Sequence, residues 1–565
     1  MNHHGEPLDT GARTRAWVAA KRLQARGRID DRVTSARLDR DVLALLALAT
    51  IAAIGLALYV MRGPAFSPLG ITRLVDSDGF APGSILAPEG GGPIATTRLL
   101  IAAMLAVGGP HALVLQVALA VSVAACAGLL FFLVRPRVGP VLALAAAVLT
   151  LLLGLTRELL DTDALPVVMA TAFGLGGLLA VERDRNGLGC GLLIIAVSSS
   201  GVGLSFAAAA AVLLPRRALW VVGVPTALLL LWALWATGES GAGIDGVGIL
   251  RVPSYAANAV AAATAAISGF TNAFPEGAGS NDGLAWGQVL APIVAGLVIW
   301  RAVRGGFTGA LASALVLVAG VCVALAAGLD PLQGSVVERG AFPLAIALIL
   351  LLAESFRGTA TTRGAALIAV VAILVALPPN LFAIRDTASV ARAEADADGA
   401  RLAALELVAA DVDPGYRYDP AAPEAARYLE LVAEQGSAAP PVSELPGASP
   451  FARGAADEVL IDALSPAAVS VPAGTPREDC LDAPATGGAV TFPLPAEGVV
   501  IASDDAAGLA VSRFGDGVVQ LPGALDPDRP ALLSFPADSS TQPWSVTVYT
   551  ASPDIRLCEP VGGGS

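Results

Sequence analysis

Two carboxylates stand one residue apart in the stretch 72–80, directly after the first apolar run of the chain. They are Asp76 and Asp78, separated by a serine. A carboxylate within hydrogen-bonding reach of a hydroxyl can remove its proton, and repulsion between neighbouring carboxylates is one way to tune a base for work near neutral pH. The pair is therefore a candidate general base, although Asp-Ser-Asp-Gly is also typical of a simple turn.

A second acidic stretch, with Glu158, Asp161 and Asp163, follows a later apolar run. Carboxylate oxygens bind hydroxyl-rich molecules and hard divalent cations. The three residues are therefore candidates for binding an acceptor or a divalent cation, which is the only cofactor that the sequence suggests. In the simpler alternative, the charged residues of this stretch only cap a membrane span.

Two further groups are candidates for substrate binding. Arg339 stands beside Glu338 at the start of a late apolar run, and its planar guanidinium offers paired donors to a phosphate. The alternative is an interfacial ion pair with Glu338. Arg251 and Tyr255 lie in a long, weakly apolar stretch and are candidates for further substrate contacts.

The composition indicates the class of protein in which these residues are held. Of the 565 residues, 55% are hydrophobic and only 15% are charged, whereas a soluble chain carries about 25% charged residues. The deficit lies between residues 42 and 382, where apolar runs of membrane-spanning length recur. The sequence therefore predicts an α-helical polytopic membrane protein with about eleven membrane segments.

One segment decides how many membrane segments the sequence predicts. Residues 188–214 are apolar but interrupted at 198–201, and the basic sequence 215–217 follows. Because positively charged loops stay in the cytoplasm, we expect two short helices that enter the membrane and return. The same charge bias predicts a cytoplasmic N-terminus and an extracytoplasmic C-terminal region. No A-x-A cleavage site follows the first span, so we expect that span to remain uncleaved.

Four parts follow from these patterns. They are a cytoplasmic basic arm (1–40), a transmembrane domain (41–382), an extracytoplasmic helical region (383–467) and a β-sandwich (468–565). The last part shows short alternating runs separated by Gly, Pro and Asp. Cys480 and Cys558 begin and end it, and a disulfide between them would tie its ends.

The order of these features resembles the GT-C superfamily of membrane glycosyltransferases. Residues 96–121, Thr-Thr-Arg-Leu-Leu followed by a Gly-Gly-Pro turn and a long apolar run, are similar to the family segment after its acidic loop. Residues 335–344, Ser-Val-Val-Glu-Arg-Gly-Ala-Phe-Pro-Leu, are similar to the family's entry to a late span.

The resemblance implies a hexosyl- or pentosyltransferase that uses a polyprenyl-phosphate-linked sugar. The acceptor would be an envelope glycan or glycolipid outside the cell, with Asp76 or Asp78 as base and Arg339 at the phosphate. One alternative is a non-catalytic envelope protein that binds glycan or protein. A transporter or flippase is disfavoured because charged residues are nearly absent from the spans. Aspartates within the basic arm argue against a nucleic-acid partner.

Overall fold

The computed structural model describes residues 66–77, 79–89, 92–153, 162–214, 218–240, 246–268, 282–327, 341–357, 363–464, 469–470, 478–485, 488–515, 517–527, 529–536, 540–551 and 554–559. The basic arm and the first predicted span lie outside the described residues. So do five predicted site residues, namely Asp78, Glu158, Asp161, Glu338 and Arg339.

The described part before residue 465 is helical. Its α-helices are α1 (Pro68–Asp76), α2 (Pro82–Leu86), α3 (Ala95–Gly108), α4 (Ala112–Val138), α5 (Pro140–Leu153), α6 (Leu165–Glu182), α7 (Asn186–Ser199), α8 (Val202–Leu213), α9 (Trp220–Ser240), α10 (Gly246–Ser268), α11 (Asp282–Gly305), α12 (Gly309–Ala327), α13 (Ala341–Ser355), α14 (Arg363–Leu407), α15 (Ala425–Gln435) and α16 (Pro450–Leu464). A 3-10 turn, Thr162–Ala164, precedes α6.

The described residues contain fewer helices of membrane-spanning length than the about eleven membrane segments that the sequence predicts. Among the described residues, four helices are long and apolar enough to cross a bilayer: Ala112–Val138, Thr162–Glu182, Trp286–Gly305 and Gly309–Ala326. Several of the apolar runs that the sequence assigns to the membrane form shorter helices. A helix of 14 residues, such as α7, rises only about 21 Å, against a hydrocarbon thickness of about 30 Å. The predicted break within 188–214 is confirmed: α7 and α8 are separate helices that pack on each other.

Small residues allow these helices to pack closely. The ring of Phe206 on α8 occupies the space that a side chain at Gly174 of α6 would need. A side chain at Gly203 would likewise meet the carbonyl of Ala196 on α7. Without a hydrophobic driving force between helices in lipid, such close approach is the main source of association. The glycines of these apolar helices therefore have a packing role.

The long helix α14 continues through Pro378 and Pro379, where the sequence indicates the end of the last span. With 45 residues it is roughly 67 Å long. It joins the apolar helices to a helical region in which α16 packs along α14. Tyr428 of α15 is buried there, and its hydroxyl donates to Glu406 of α14 at 2.6 Å.

The C-terminal part consists of two antiparallel sheets, as the alternating sequence predicts. The strands are β1 (Val469–Ser470), β2 (Glu478–Pro484), β3 (Ala489–Pro493), β4 (Val499–Ser503), β5 (Ala507–Ser512), β6 (Val519–Leu525), β7 (Ala531–Leu533), β8 (Ser545–Thr550) and β9 (Asp554–Glu559). Their order is β1-β7-β4-β9-β2 in one sheet and β3-β8-β5-β6 in the other. Buried residues of both sheets, such as Ile501 and Val548, belong to one hydrophobic core.

Two contacts fix this part. Cys480 of β2 and Cys558 of β9 are disulfide-bonded, which confirms the predicted pair. The buried carboxylate of Asp457, on α16, accepts hydrogen bonds from the backbone N–H groups of Arg513 (2.9 Å), Phe514 (2.8 Å) and Gly515 (2.9 Å). The turn after β5 is thereby held on the helical region.

Candidate functional site

Asp76 is the last residue of a short capped helix. The helix α1 begins at Pro68, where a missing N–H costs nothing, and the hydroxyl of Ser67 accepts from the N–H of Gly70 at 3.0 Å. Ile71 and Leu74 bury its apolar face. The predicted loop is therefore helical up to Asp76, and Asp78 follows it outside the described residues.

Two guanidinium groups flank the Asp76 carboxylate. Oδ1 lies 2.9 Å from Nη2 of Arg427, on α15, and Oδ2 lies 3.7 Å from Nη2 of Arg98, on α3. Arg98 is only 3% exposed and also donates to the carbonyl oxygen of Ser84 at 2.8 Å. The Arg427 side chain is 51% exposed. One arginine is thus fixed in the protein interior, whereas the other reaches the carboxylate from the surface.

A second ionic group lies one helical turn earlier on α1. Buried Arg73 donates to both carboxylate oxygens of Glu89, at 2.6–3.1 Å, and to the side chain and carbonyl of Asp163, at 3.3 and 3.1 Å. The structure therefore brings the second acidic stretch, through Asp163, to the helix that carries Asp76. We call these six residues (Asp76, Arg98, Arg427, Arg73, Glu89 and Asp163) the Asp76 cluster. It contains three positive and three negative side chains.

Several buried polar atoms in the same elements make no hydrogen bond in the described structure. They are Ser77 Oγ at the end of α1, Thr97 Oγ1 and Arg98 Nε on α3, and Thr162 Oγ1 in the 3-10 turn. These elements contact one another. A buried donor or acceptor without a partner costs about 1–3 kcal/mol, so such atoms are rare in native proteins. Their concentration here indicates capacity for binding polar groups.

Contacts from distant parts of the chain hold the cluster in place. Thr96 and Ser198 hydroxyls lie 2.9 Å apart and join α3 to the end of α7. The C-terminal helical region covers α1, because Thr72 Oγ1 donates to the carbonyl of Ala421 at 2.6 Å. Gly109 has φ +89°, and a Cβ there would lie 2.9 Å from the carbonyl oxygen of Gln435, so the two regions meet closely.

The cluster lies at one end of α6. Asp163 precedes this helix, whereas Glu182 ends it and pairs with Arg137 of α4. Nineteen residues separate the two carboxylates, a rise of about 28 Å and close to the hydrocarbon thickness of a bilayer. Ionic groups thus stand at both ends of an apolar helix, as expected for a protein that crosses a membrane.

The remaining sequence candidates lie elsewhere. Arg251 and Tyr255 are on α10, which packs chiefly against α11, α12 and α13. Tyr255 is half-buried against the apolar core. Sequence reasoning missed four site residues, namely Arg73, Glu89, Arg98 and Arg427. A signal was present for Arg98, because a charged residue beginning an apolar helix needs a partner.

Neither family models, nor curated proteins, nor solved structures match this chain. The geometry of the Asp76 cluster is therefore the basis for a functional proposal. Within the described residues, no group of three or more His, Cys, Asp or Glu side chains is placed to hold a metal ion. Arg73 lies between Glu89 and Asp163 and forms an ion pair with each carboxylate.

Proposed function

We propose that this protein is a membrane glycosyltransferase that transfers a sugar from a polyprenyl-phosphate donor to an envelope acceptor. In this proposal the protein has its N-terminus in the cytoplasm and its C-terminal region outside the cell. The Asp76 cluster then lies at the outer side of the membrane. About eleven membrane segments in a GT-C-like arrangement belong to the same proposal. The observation that supports it most is a single carboxylate between two arginines at one end of apolar helices.

The proposed chemistry uses Asp76 as a general base. The acceptor hydroxyl gives its proton to the carboxylate, its oxygen forms the new bond to the sugar's anomeric carbon, and the bond from that carbon to the phosphate oxygen breaks. The phosphate leaves with the electron pair of that bond. Guanidinium groups stabilise the charge that develops on it. In this proposal Arg98 and Arg427 are those cations, and half-exposed Arg427 is the one able to move between carboxylate and phosphate.

An alternative is a non-catalytic envelope protein whose membrane part anchors a binding region. It is favoured by the same ion pairs. Both carboxylate oxygens of Asp76 already face an arginine, and Arg427 comes from the C-terminal helical region. In this alternative the Asp76–Arg427 pair only clamps that region onto the membrane helices. The acceptor and donor would then have no reaction at Asp76.

Asp76→Asn separates the two functions. It keeps the size of the side chain but removes the base, and loss of general base catalysis lowers rates by about 10²–10⁴-fold. Transfer is measured with the full-length protein in membranes, using labelled polyprenyl-phosphate sugars and an envelope acceptor fraction. The matched control is Asp504→Asn, which breaks an exposed pair with Arg556 on the sheets. Asp78→Asn tests the second aspartate in the same assay.

The proposal is supported if Asp76→Asn lowers transfer by about 10²-fold or more in protein that is still folded and inserted, while Asp504→Asn transfers at the native rate. It fails if Asp76→Asn transfers sugar at the native rate. The orientation is tested separately with a tag at Ser565 in intact cells. Protection of that tag from external protease would place the C-terminal region inside and refute the outer-side chemistry.

A further inference from the structure

A pocket of about 910 Å³ lies at the end of the helical bundle opposite the Asp76 cluster. The ends of α4, α6 and α8, the start of α12 and the residue Arg357 after α13 form its walls. We call it the basic pocket. Its lining combines four arginines (Arg135, Arg137, Arg183 and Arg357) with the apolar side chains of Phe132 and Leu179.

Part of this positive charge is neutralised. Arg137 pairs with Glu182 at the pocket wall and with Glu354, whose side chain is only 2% exposed. Arg357 shares Glu354 at 3.3 Å. The lining of the basic pocket contains four arginines and one glutamate, Glu182. The guanidinium of Arg183 lies 5.6 Å from the centre of the Phe132 ring and is exposed.

Ordinary topology signals explain only some of these features. Arginines in the last turn of a helix, as in α4, complement the helix dipole, and basic residues mark one face of a membrane protein. Neither effect requires a concavity of this size. Nor does either require Arg137 to be held by two carboxylates beneath the surface. The pocket is also about 28 Å from the Asp76 cluster along α6, so the proposed transfer reaction does not use it.

We propose that the basic pocket binds the phosphate of an anionic phospholipid headgroup. Basic pockets between membrane helices at the bilayer surface are suited to such groups. Its position where apolar helices end would place a lipid phosphate at the guanidinium groups, with the acyl chains along the apolar helix surfaces. The exposed side chains of Val141, beside the lining residue Pro140 at the start of α5, and of Val212 on α8 lie on helices that border the pocket. A free phosphate ion would use the same cations but not these apolar surfaces.

Lipid binding can be measured on the full-length protein in neutral detergent by native mass spectrometry and thermal unfolding. The three probes are phosphatidylglycerol, phosphatidylcholine and inorganic phosphate at matched headgroup concentration. We expect retention of phosphatidylglycerol and an increased melting temperature with this lipid alone. Arg183→Gln should weaken its binding roughly five-fold, and Arg135→Gln/Arg183→Gln roughly 25-fold, since each basic residue near the surface contributes about that factor.

The control is Arg301→Gln/Arg304→Gln at the end of α11, which removes the same charge outside the pocket lining. It should leave binding within about two-fold of the native value. Equal retention of phosphatidylcholine would overturn the proposal, as would an equal loss of binding in the control. Equal stabilisation by inorganic phosphate would assign the pocket to a free anion and overturn the lipid assignment.

Discussion

Asp457 provides a stability test of the contact between the helical region and the sheets. Its Oδ2 accepts from the N–H groups of Arg513 and Gly515, and its Oδ1 accepts from that of Phe514. Asp457→Ala removes all three acceptors from a buried turn. A hydrogen bond to a charged group contributes about 1.5–3 kcal/mol, and an unsatisfied buried donor costs about 1–3 kcal/mol. Because the three bonds share one carboxylate, their contributions do not add. We expect Asp457→Ala to lower the free energy of unfolding by about 3–5 kcal/mol.

Asp457→Asn should have a smaller effect. The amide oxygen can take the place of Oδ2 and keep the bonds to Arg513 and Gly515. The amide NH2 then faces the N–H of Phe514, so one hydrogen bond is lost and two donors oppose each other. We expect Asp457→Asn to lower the free energy of unfolding by about 2 kcal/mol. Glu458→Gln, in the same turn of α16 but exposed, should remain within about 0.5 kcal/mol of the native protein.

Trypsin cleavage after Arg513 measures how often the turn that contains Arg513 separates from α16. Arg513 is 7% exposed, so cleavage requires the turn to leave α16. When reclosing is fast, the cleavage rate follows the population of the open form. A cost of 3 kcal/mol therefore accelerates cleavage roughly 150-fold, since each 1.4 kcal/mol is a factor of ten.

Mass spectrometry of the full-length protein identifies the site, with cleavage after the half-exposed Arg417 as an internal reference. Cleavage of Asp457→Ala at the native rate would refute the structural role of the carboxylate. Equal acceleration by Glu458→Gln would show that the effect is not specific to the three hydrogen bonds.

Two further predictions concern the same C-terminal part. Burial raises the pKa of Asp398 from its ordinary 3.8 to about 6, although its ion pair with Arg401 opposes this. The folded state then binds the proton more tightly than the unfolded state, so Asp398 should lower stability by up to about 3 kcal/mol as pH rises from 4 to 7. The melting temperature of Asp398→Asn, measured from pH 4 to pH 7, should lack this loss of stability. The prediction is wrong if the variant and the native protein show the same pH dependence. Cys480→Ser/Cys558→Ser opens a loop of 78 residues, for which chain entropy predicts a loss of about 4.5 kcal/mol. The double variant should unfold its sheets at a lower temperature than the native protein, whereas the control Cys190→Ser should not. Equal melting temperatures of the double variant and the native protein would contradict this prediction.

The sequence predicted features that depend on local chemistry. Apolar runs indicated membrane helices because burial of apolar side chains follows from composition alone. Alternation after residue 468 indicated strands because successive side chains of a strand point to opposite faces. The interruption at 198–201 indicated a break, and the pair Cys480 and Cys558 was the only pair of cysteines in a polar part of the chain.

Local chemistry was insufficient to decide which apolar segments are long enough to cross a bilayer. Hydrophobicity shows that a segment avoids water, but it does not distinguish lipid from the interior of a helical bundle. The helix α13 is apolar and 15 residues long, and nearly all of its described side chains are buried by its neighbours. Which surface covers an apolar segment is therefore a property of the packed bundle.

By itself, the sequence determined that this protein is built from apolar helices followed by a β-sandwich with one disulfide, and it singled out Asp76 as a charge beside the membrane. Only the tertiary structure decided what that carboxylate faces. Arg98 lies 22 residues away and Arg427 lies 351 residues away, on an element that sequence spacing does not relate to α1. Ion pairs form between side chains that folding brings within a few ångströms, whereas the sequence gives only their order.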